Sequence, residues 1–263
     1  MDVPTDVTDL VAIPASELPV GVVGAGAMGA GIAQIAAAQG HRVLLADAQS
    51  AALVRARSSH AAAMARDVEK GRRTQADADA VLSRITYVDG VSAEQLAAFA
   101  DCGIVIEAII EQLAAKLALF RALDAIVSPR AILASNTSSL SIAALGGACR
   151  HAERVVGVHF FNPAPIMPLV EIVSAISTAP EFATAALTIA RAWGKTTVRV
   201  KDTPGFLVNR VARPYYGESL RMLEEGVADA ATIDWALTAM GGFRMGPFAL
   251  MDLIGNDVNF AVS

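Results

Sequence analysis

Two groups of residues in this chain have types and spacings suited to chemistry. The first is Gly24, Gly26 and Gly29, a Gly-x-Gly-x-x-Gly pattern that directly follows the apolar run Val20–Val23 and opens an Ala-rich segment. Between a strand and a helix, the first glycine permits a tight turn, the second lets the backbone approach a pyrophosphate, and the third lets helix and strand pack closely. The helix start at Ala27 and Met28 then offers N–H groups and a positive dipole end to phosphates. Asp47 follows the next apolar run, Val43–Ala46, 23 residues after Gly24. A carboxylate there accepts hydrogen bonds from ribose hydroxyls and repels a ribose phosphate, which points to NAD rather than NADP. The second group is His159 and Glu171, twelve residues apart on either side of a Pro-rich turn. A neutral imidazole is matched to proton transfer near pH 7. A carboxylate returning on a neighbouring strand can hold its other nitrogen, fix the tautomer and stabilise the imidazolium. Taken singly, each has a plainer reading: glycines that only allow packing, an Asp47 that caps the next helix, a structural histidine.

These residues need a scaffold, and the periodicity supplies one. Apolar runs at Val20–Val23, Val43–Ala46, Ile104–Ile106, Ala131–Ala134, Val155–Phe160, Leu169–Val173 and Thr196–Val200 read as strands. Helical patterns run from the glycines to Gln39, from Ser50 to Lys70, from a Thr74/Asp77 cap, and over Leu113–Ile126 and Phe182–Trp193, with Gly40, Gly71 and Gly194 as stops. Strands alternating with helices predict an α/β fold of Rossmann type, a doubly wound, mostly parallel sheet covered on both faces. From Pro204 on, only helical patterns remain, at about Phe206–Glu225, Thr232–Met240 and Pro247–Ile254. The expected organisation is an irregular leader over 1–18, a cofactor domain over 19–201 and a helical domain over 202–263.

Composition narrows the class. The 263 residues carry 21 Lys plus Arg against 26 Asp plus Glu, a net charge of −5, and 54% are hydrophobic. That content supports a packed core, and scattered arginines on an acidic chain disfavour nucleic acid as a partner. Two cysteines, Cys102 and Cys149, argue against a disulfide framework, and no His/Cys/Asp cluster suggests a metal. The start MDVPTDVTDL has no basic segment, and no apolar run reaches about 18 residues, so a cytoplasmic protein without a membrane span is expected.

The blocks GAGAMG with Asp47, IEAIIEQLAAK, SNTSSLSI, HFFNPAPIMPLVEIV, DTPGFLVNR and GPFALMDLIG occur in this order. Over roughly residues 19–260 the chain resembles the L-3-hydroxyacyl-CoA dehydrogenases, particularly bacterial enzymes of hydroxybutyryl-CoA and phenylacetate catabolism. The resemblance implies reversible oxidation of an L-3-hydroxyacyl-CoA to the 3-ketoacyl-CoA, with NAD as cofactor, in fatty-acid or aromatic-acid catabolism. It implies that His159 and Glu171 form the catalytic pair, that Ser138 hydrogen-bonds the reacting oxygen, and that Asn209 orients substrate and histidine. It further places Glu111, Lys116, Asn136 and Asn162 at the cofactor and Lys70 against an acyl-CoA substrate, and it implies a homodimer where the helical domain is complete. Gln112 departs from the asparagine expected after Glu111.

Other readings remain open on the residues alone. Ser138 can simply cap a following helix, Glu111 and Lys116 can lie on a solvated helix face, Asn209 can end a turn, and Lys70 can complement a helix C-terminus. A non-catalytic, crystallin-like NAD-binding protein is one alternative. A dehydrogenase of free hydroxy acids is another, disfavoured because such enzymes use a helical-domain lysine and no lysine follows Lys201. Because relatives continue beyond GPFALMDLIGNDV through at least one more helix, the helical domain is expected to be truncated at Ser263.

Overall fold

A computed structural model describes residues 12–256 together with Val7, Leu10, Asn259 and Phe260. The chain divides into two compact units, Met1–Asp202 and Thr203–Ser263. In the first unit the elements run β1 (Val20–Val23), α1 (Ala27–Ala38), β2 (Val43–Asp47), α2 (Ser50–Glu69), α3 (Gln75–Ser83), β3 (Ile85–Asp89), α4 (Ala93–Leu96) and β4 (Ile104–Glu107). They continue with α5 (Leu113–Ile126), β5 (Ile132–Ser135), α6 (Ile142–Gly146), β6 (Val155–Phe160), β7 (Leu169–Ser174), α7 (Pro180–Ala192) and β8 (Thr196–Lys201). Among the described residues, eight strands form one sheet in the order β3-β2-β1-β4-β5-β6-β7-β8. All neighbours are parallel except β6 and β7, which are antiparallel. The chain therefore builds outward from β1 to β3 and then returns to lay β4 on the other side of β1. Such a reversal opens a crevice at the carboxyl ends of the strands.

Central strands buried on both faces are built from apolar runs, as β1, β4, β5 and β6 are, except near the carboxyl ends, where β4 ends in Glu107, β5 in Ser135 and β6 carries His159. The Ala-rich α1 is buried along most of its length because small side chains let it lie close to the sheet. α3 begins with a reciprocal cap: the Thr74 hydroxyl accepts from the Asp77 N–H at 3.1 Å, and the Thr74 N–H donates to Asp77 at 3.4 Å. The apolar pattern misses β3, α4 and α6. β3 is an edge strand whose Ile85 is buried while most of its other residues are half-buried or exposed, and α4 and α6 are about one turn each.

Of the leader expected over 1–18, residues 1–6, 8, 9 and 11 lie outside the described residues. Leu10 and Leu18 are buried, and Leu18 O accepts a hydrogen bond from His41 Nδ1 at 2.9 Å, so this part of the leader packs against the fold. The expected truncation at Ser263 likewise falls outside them.

The second unit contains α8 (Val208–Glu224), α9 (Ala230–Ala239) and α10 (Pro247–Ile254). Asp234 of α9 accepts the N–H groups of Phe248 and Ala249, each at 2.9 Å, and so caps α10 from outside. No helix of the described residues is long and apolar enough to cross a membrane.

Candidate active site

The glycine turn sits at the carboxyl end of β1, where the strand order reverses. Gly24 has φ +107°, and a side chain there would meet the Ala108 carbonyl at 2.4 Å. A Cβ on Gly29 would lie 1.7 Å from the Gly24 carbonyl, which is how closely α1 crosses the turn. Gly26 is different: a Cβ there would meet nothing within 4 Å, because its backbone faces open space. Asp47 holds the turn from β2. Its Oδ2 accepts the Ala25 N–H at 2.6 Å and its Oδ1 the Gln49 N–H at 2.8 Å. Each oxygen retains a further lone pair. A cleft of about 570 Å³ borders Gly24, Gly26, Asp47, Gln49, Ile109 and Ile110. A bare backbone at Gly26, a helix N-terminus and an acid beside an apolar cleft fit the phosphates, ribose and base of a dinucleotide.

His159 and Glu171 are brought together by sheet register. They are partners across the antiparallel pair β6 and β7, and His159 Nδ1 lies 2.7 Å from Glu171 Oε2. Both are buried, Glu171 completely. A carboxylate accepts only, so Nδ1 carries the hydrogen and the ring presents Nε2 as the proton-accepting atom. The Phe161 ring packs 4.5 Å from the imidazole, centroid to centroid.

The loops after β4 and β5 carry the next residues. Lys116 is 1% exposed, which removes the solvated-face reading for it. Its Nζ lies 2.5 Å from Glu107 Oε1 and 3.0 Å from Glu111 Oε2. Glu111 also accepts the Thr137 hydroxyl, the Ser138 N–H at 3.1 Å and the Ser139 hydroxyl at 3.2 Å. Burial works against its charge, but the Lys116 ammonium and these hydrogen bonds together outweigh it and hold the Glu111 carboxyl below its ordinary pKa. Ser138 is half-buried and does not cap α6; that role belongs to Ser141, whose hydroxyl accepts the Ala144 N–H at 3.3 Å. The Asn136 side-chain oxygen accepts the Phe160 N–H at 2.9 Å, so this residue ties the β5 loop to the end of the strand that carries His159.

Asn162 is exposed in the loop after β6, where Asn162–Pro163 is a cis peptide. It borders a second cleft, of about 820 Å³, shared with Gly26, Ala27, Arg66, Lys70 and Lys195. Lys70 is thus at a cleft wall as well as at the C-cap of α2. Asn209 belongs to the second unit, in the first turn of α8. Apolar periodicity does not single out Glu107, Ser135 or Thr137. The available signal was a glutamate ending an otherwise apolar strand.

Family models match nearly the whole chain: the 3-hydroxyacyl-CoA dehydrogenase NAD binding domain over residues 19–203, and the C-terminal domain of the same enzymes over 205–263. The chain belongs to the 3-hydroxyacyl-CoA dehydrogenase family. Among relatives in this family, Escherichia coli 3-hydroxyadipyl-CoA dehydrogenase is 48% identical over 93% of this chain, which spans 50% of that protein's length. A probable 3-hydroxybutyryl-CoA dehydrogenase of Bacillus subtilis is 41% identical over 92% of this chain and 82% of its own. The crystal structure of (S)-3-hydroxybutyryl-CoA dehydrogenase PaaH1 from Ralstonia eutropha superposes with a TM-score of 0.88 at 37% identity, covering 93% of this chain and 84% of that one. The 3-hydroxyacyl-CoA dehydrogenase fold, a mostly parallel sheet with a helical C-terminal part, is the one observed, and the glycine turn with Asp47 lies in its NAD-binding domain.

Proposed function

We propose that this chain catalyses the reversible oxidation of an L-3-hydroxyacyl-CoA to its 3-ketoacyl-CoA. The observation that carries this reading is the buried His159–Glu171 pair, held in cross-strand register in a chain whose neighbouring loops fit NAD. Bound NAD supplies the two-electron acceptor. His159 Nε2 takes the hydroxyl proton, and Glu171 stabilises the imidazolium through Nδ1–H. The Ser138 hydroxyl holds the reacting oxygen, and Asn209 orients substrate and imidazole. In the reverse direction His159 returns its proton to the oxygen of the ketone. Asp47, the Gly24–Gly29 turn with Ala27 and Met28, Glu111 with Lys116, Asn136 and Asn162 serve the cofactor side. Lys70 meets the phosphates of the CoA moiety.

In this reading residues 19–201 form the cofactor domain and 202–263 the helical domain, through which the protein dimerises. It works in the cytoplasm in fatty-acid or aromatic-acid breakdown. The test is NADH consumption with acetoacetyl-CoA, expected for the unaltered chain and lost in His159→Gln. Turnover undiminished by that substitution overturns the mechanism, and tight NADH binding without activity on any acyl-CoA favours a non-catalytic role. The relatives' names point to two acyl ends, one methyl and one carboxylate. Rates on acetoacetyl-CoA, longer 3-ketoacyl-CoAs and 3-ketoadipyl-CoA decide between them.

A further inference from the structure

Glu107 lies at the end of β4, in register with Val23 before the glycine turn and with Ser135 at the end of β5. It is completely buried, and its carboxylate closes a ring of hydrogen bonds. Glu107 Oε2 accepts the Ser135 hydroxyl at 2.6 Å, and Ser135 Oγ accepts the Thr137 N–H at 3.1 Å. The Thr137 hydroxyl donates to Glu111, Glu111 Oε2 meets Lys116 Nζ at 3.0 Å, and Lys116 Nζ returns to Glu107 Oε1 at 2.5 Å. Glu107 Oε1 also accepts the Ile109 N–H at 2.7 Å.

The ring joins two segments that do different work. One is the turn Ala108–Ile110, which packs under Gly24 and borders the cleft beside Asp47. The other is the loop after β5 that carries Asn136 and Ser138. A single ammonium, that of Lys116, is shared by two carboxylates. Neutralising one of them therefore redistributes charge and hydrogen bonds on both sides of the ring.

We propose that Glu107 is a positioning residue that sets the cofactor turn and the Ser138 loop in one register, coupling cofactor binding to alignment of the reacting oxygen. This rests on the dehydrogenase reading for Ser138. The cofactor half stands without it, because the Ile109 and Lys116 contacts shape the cleft whatever the substrate.

The experiment compares the full chain with Glu107→Gln and Ser135→Ala, by NADH titration and by steady-state reduction of acetoacetyl-CoA. Glu107→Gln is nearly isosteric but turns one accepting oxygen into a donor. It is expected to weaken NADH binding and lower kcat, each by about tenfold. Ser135→Ala removes the hydroxyl that links Glu107 Oε2 to the Thr137 N–H, and leaves Glu107 Oε1 on Lys116 and the Ile109 N–H. It is expected to lower kcat while leaving NADH affinity within about twofold, and it serves alone if Glu107→Gln does not fold. In a Ser138→Ala background the kcat loss from either change should shrink, since both act through the Ser138 loop. Unchanged NADH affinity in Glu107→Gln, or kcat losses that simply multiply with Ser138→Ala, overturns the proposal. If the unaltered chain binds NADH but reduces no acyl-CoA, the functional reading fails, while the NADH titrations still decide the cofactor half.

Discussion

At the scale of single residues, the proposed acid–base pair owes its geometry to two buried side chains that face each other across the β6–β7 ladder. Removing the imidazole while keeping its shape, as in His159→Gln, is expected to reduce kcat by about 10²–10⁴ and leave NADH affinity nearly unchanged, read by single-turnover kinetics beside equilibrium binding. Glu111 carries a stability prediction. Its folded pKa lies below the reference value of 4.5, so its contribution is fully present above that value and lost as pH falls through the lower folded one. Urea unfolding of the unaltered chain and of Glu111→Gln should therefore differ at neutral pH and converge in acid. A difference that grows on acidification would contradict the assignment. The pairing of His159 with Glu171 was legible because a histidine near the end of one apolar run and a glutamate inside the next are separated by a Pro-rich turn. Glu107 was not legible: its partners come from three separate segments, and periodicity inspects one segment at a time.

At the scale of elements, the middle and the C-terminal end of α2 have different obligations. Midway along it, His60 Nε2 donates to Ala30 O at 2.8 Å and Nδ1 pairs with the Tyr87 hydroxyl at 2.8 Å, anchoring α2 to α1 and β3. Burial, only partly offset by the Ala30 contact, keeps the His60 pKa below its ordinary value. At its C-terminal end Lys70 has two readings, a cation on a helix dipole and a phosphate contact. Lys70→Ala separates them. The phosphate role predicts a rise of about three- to tenfold in KM for acetoacetyl-CoA, shrinking at high salt, with unchanged NADH affinity. The dipole role predicts only a small loss of stability, read by thermal unfolding. The 14-residue α5 was readable to the residue because one apolar face repeats along it, and the short α10 because Gly246-Pro247 marks its start and Gly255 its stop. β3 escaped because an edge strand is half wetted and leaves no run to find.

At the scale of the molecule, the two units differ in how they finish their surfaces. The first buries an extensive apolar core around its sheet and leaves Val54, Ile110, Ile166 and Ile176 exposed, whereas the second, much smaller, leaves Val211, Trp235, Met240 and Phe243 exposed with few buried residues beneath them. Large apolar groups gathered on one small unit suit association. In the dimer proposed above, sedimentation should show mass rising with concentration, and Trp235→Glu should shift the balance towards the monomer. A monomer at all concentrations would remove the dimer. The β6–β7 ladder has a final consequence. His159 and Glu171 face each other because two strands are zipped in register, with the intervening residues 161–168 excluded from that alignment. Asn162, Pro163, Pro165 and Ile166 of that segment form part of the wall of the larger cleft. Replacements at Pro165 and Ile166, away from the Phe161 ring that packs on the imidazole, are expected to reshape that cleft while His159 and Glu171 stay in register. Evolution, or a protein engineer, thus has a way to alter the cleft wall without unzipping the strands that hold His159 against Glu171.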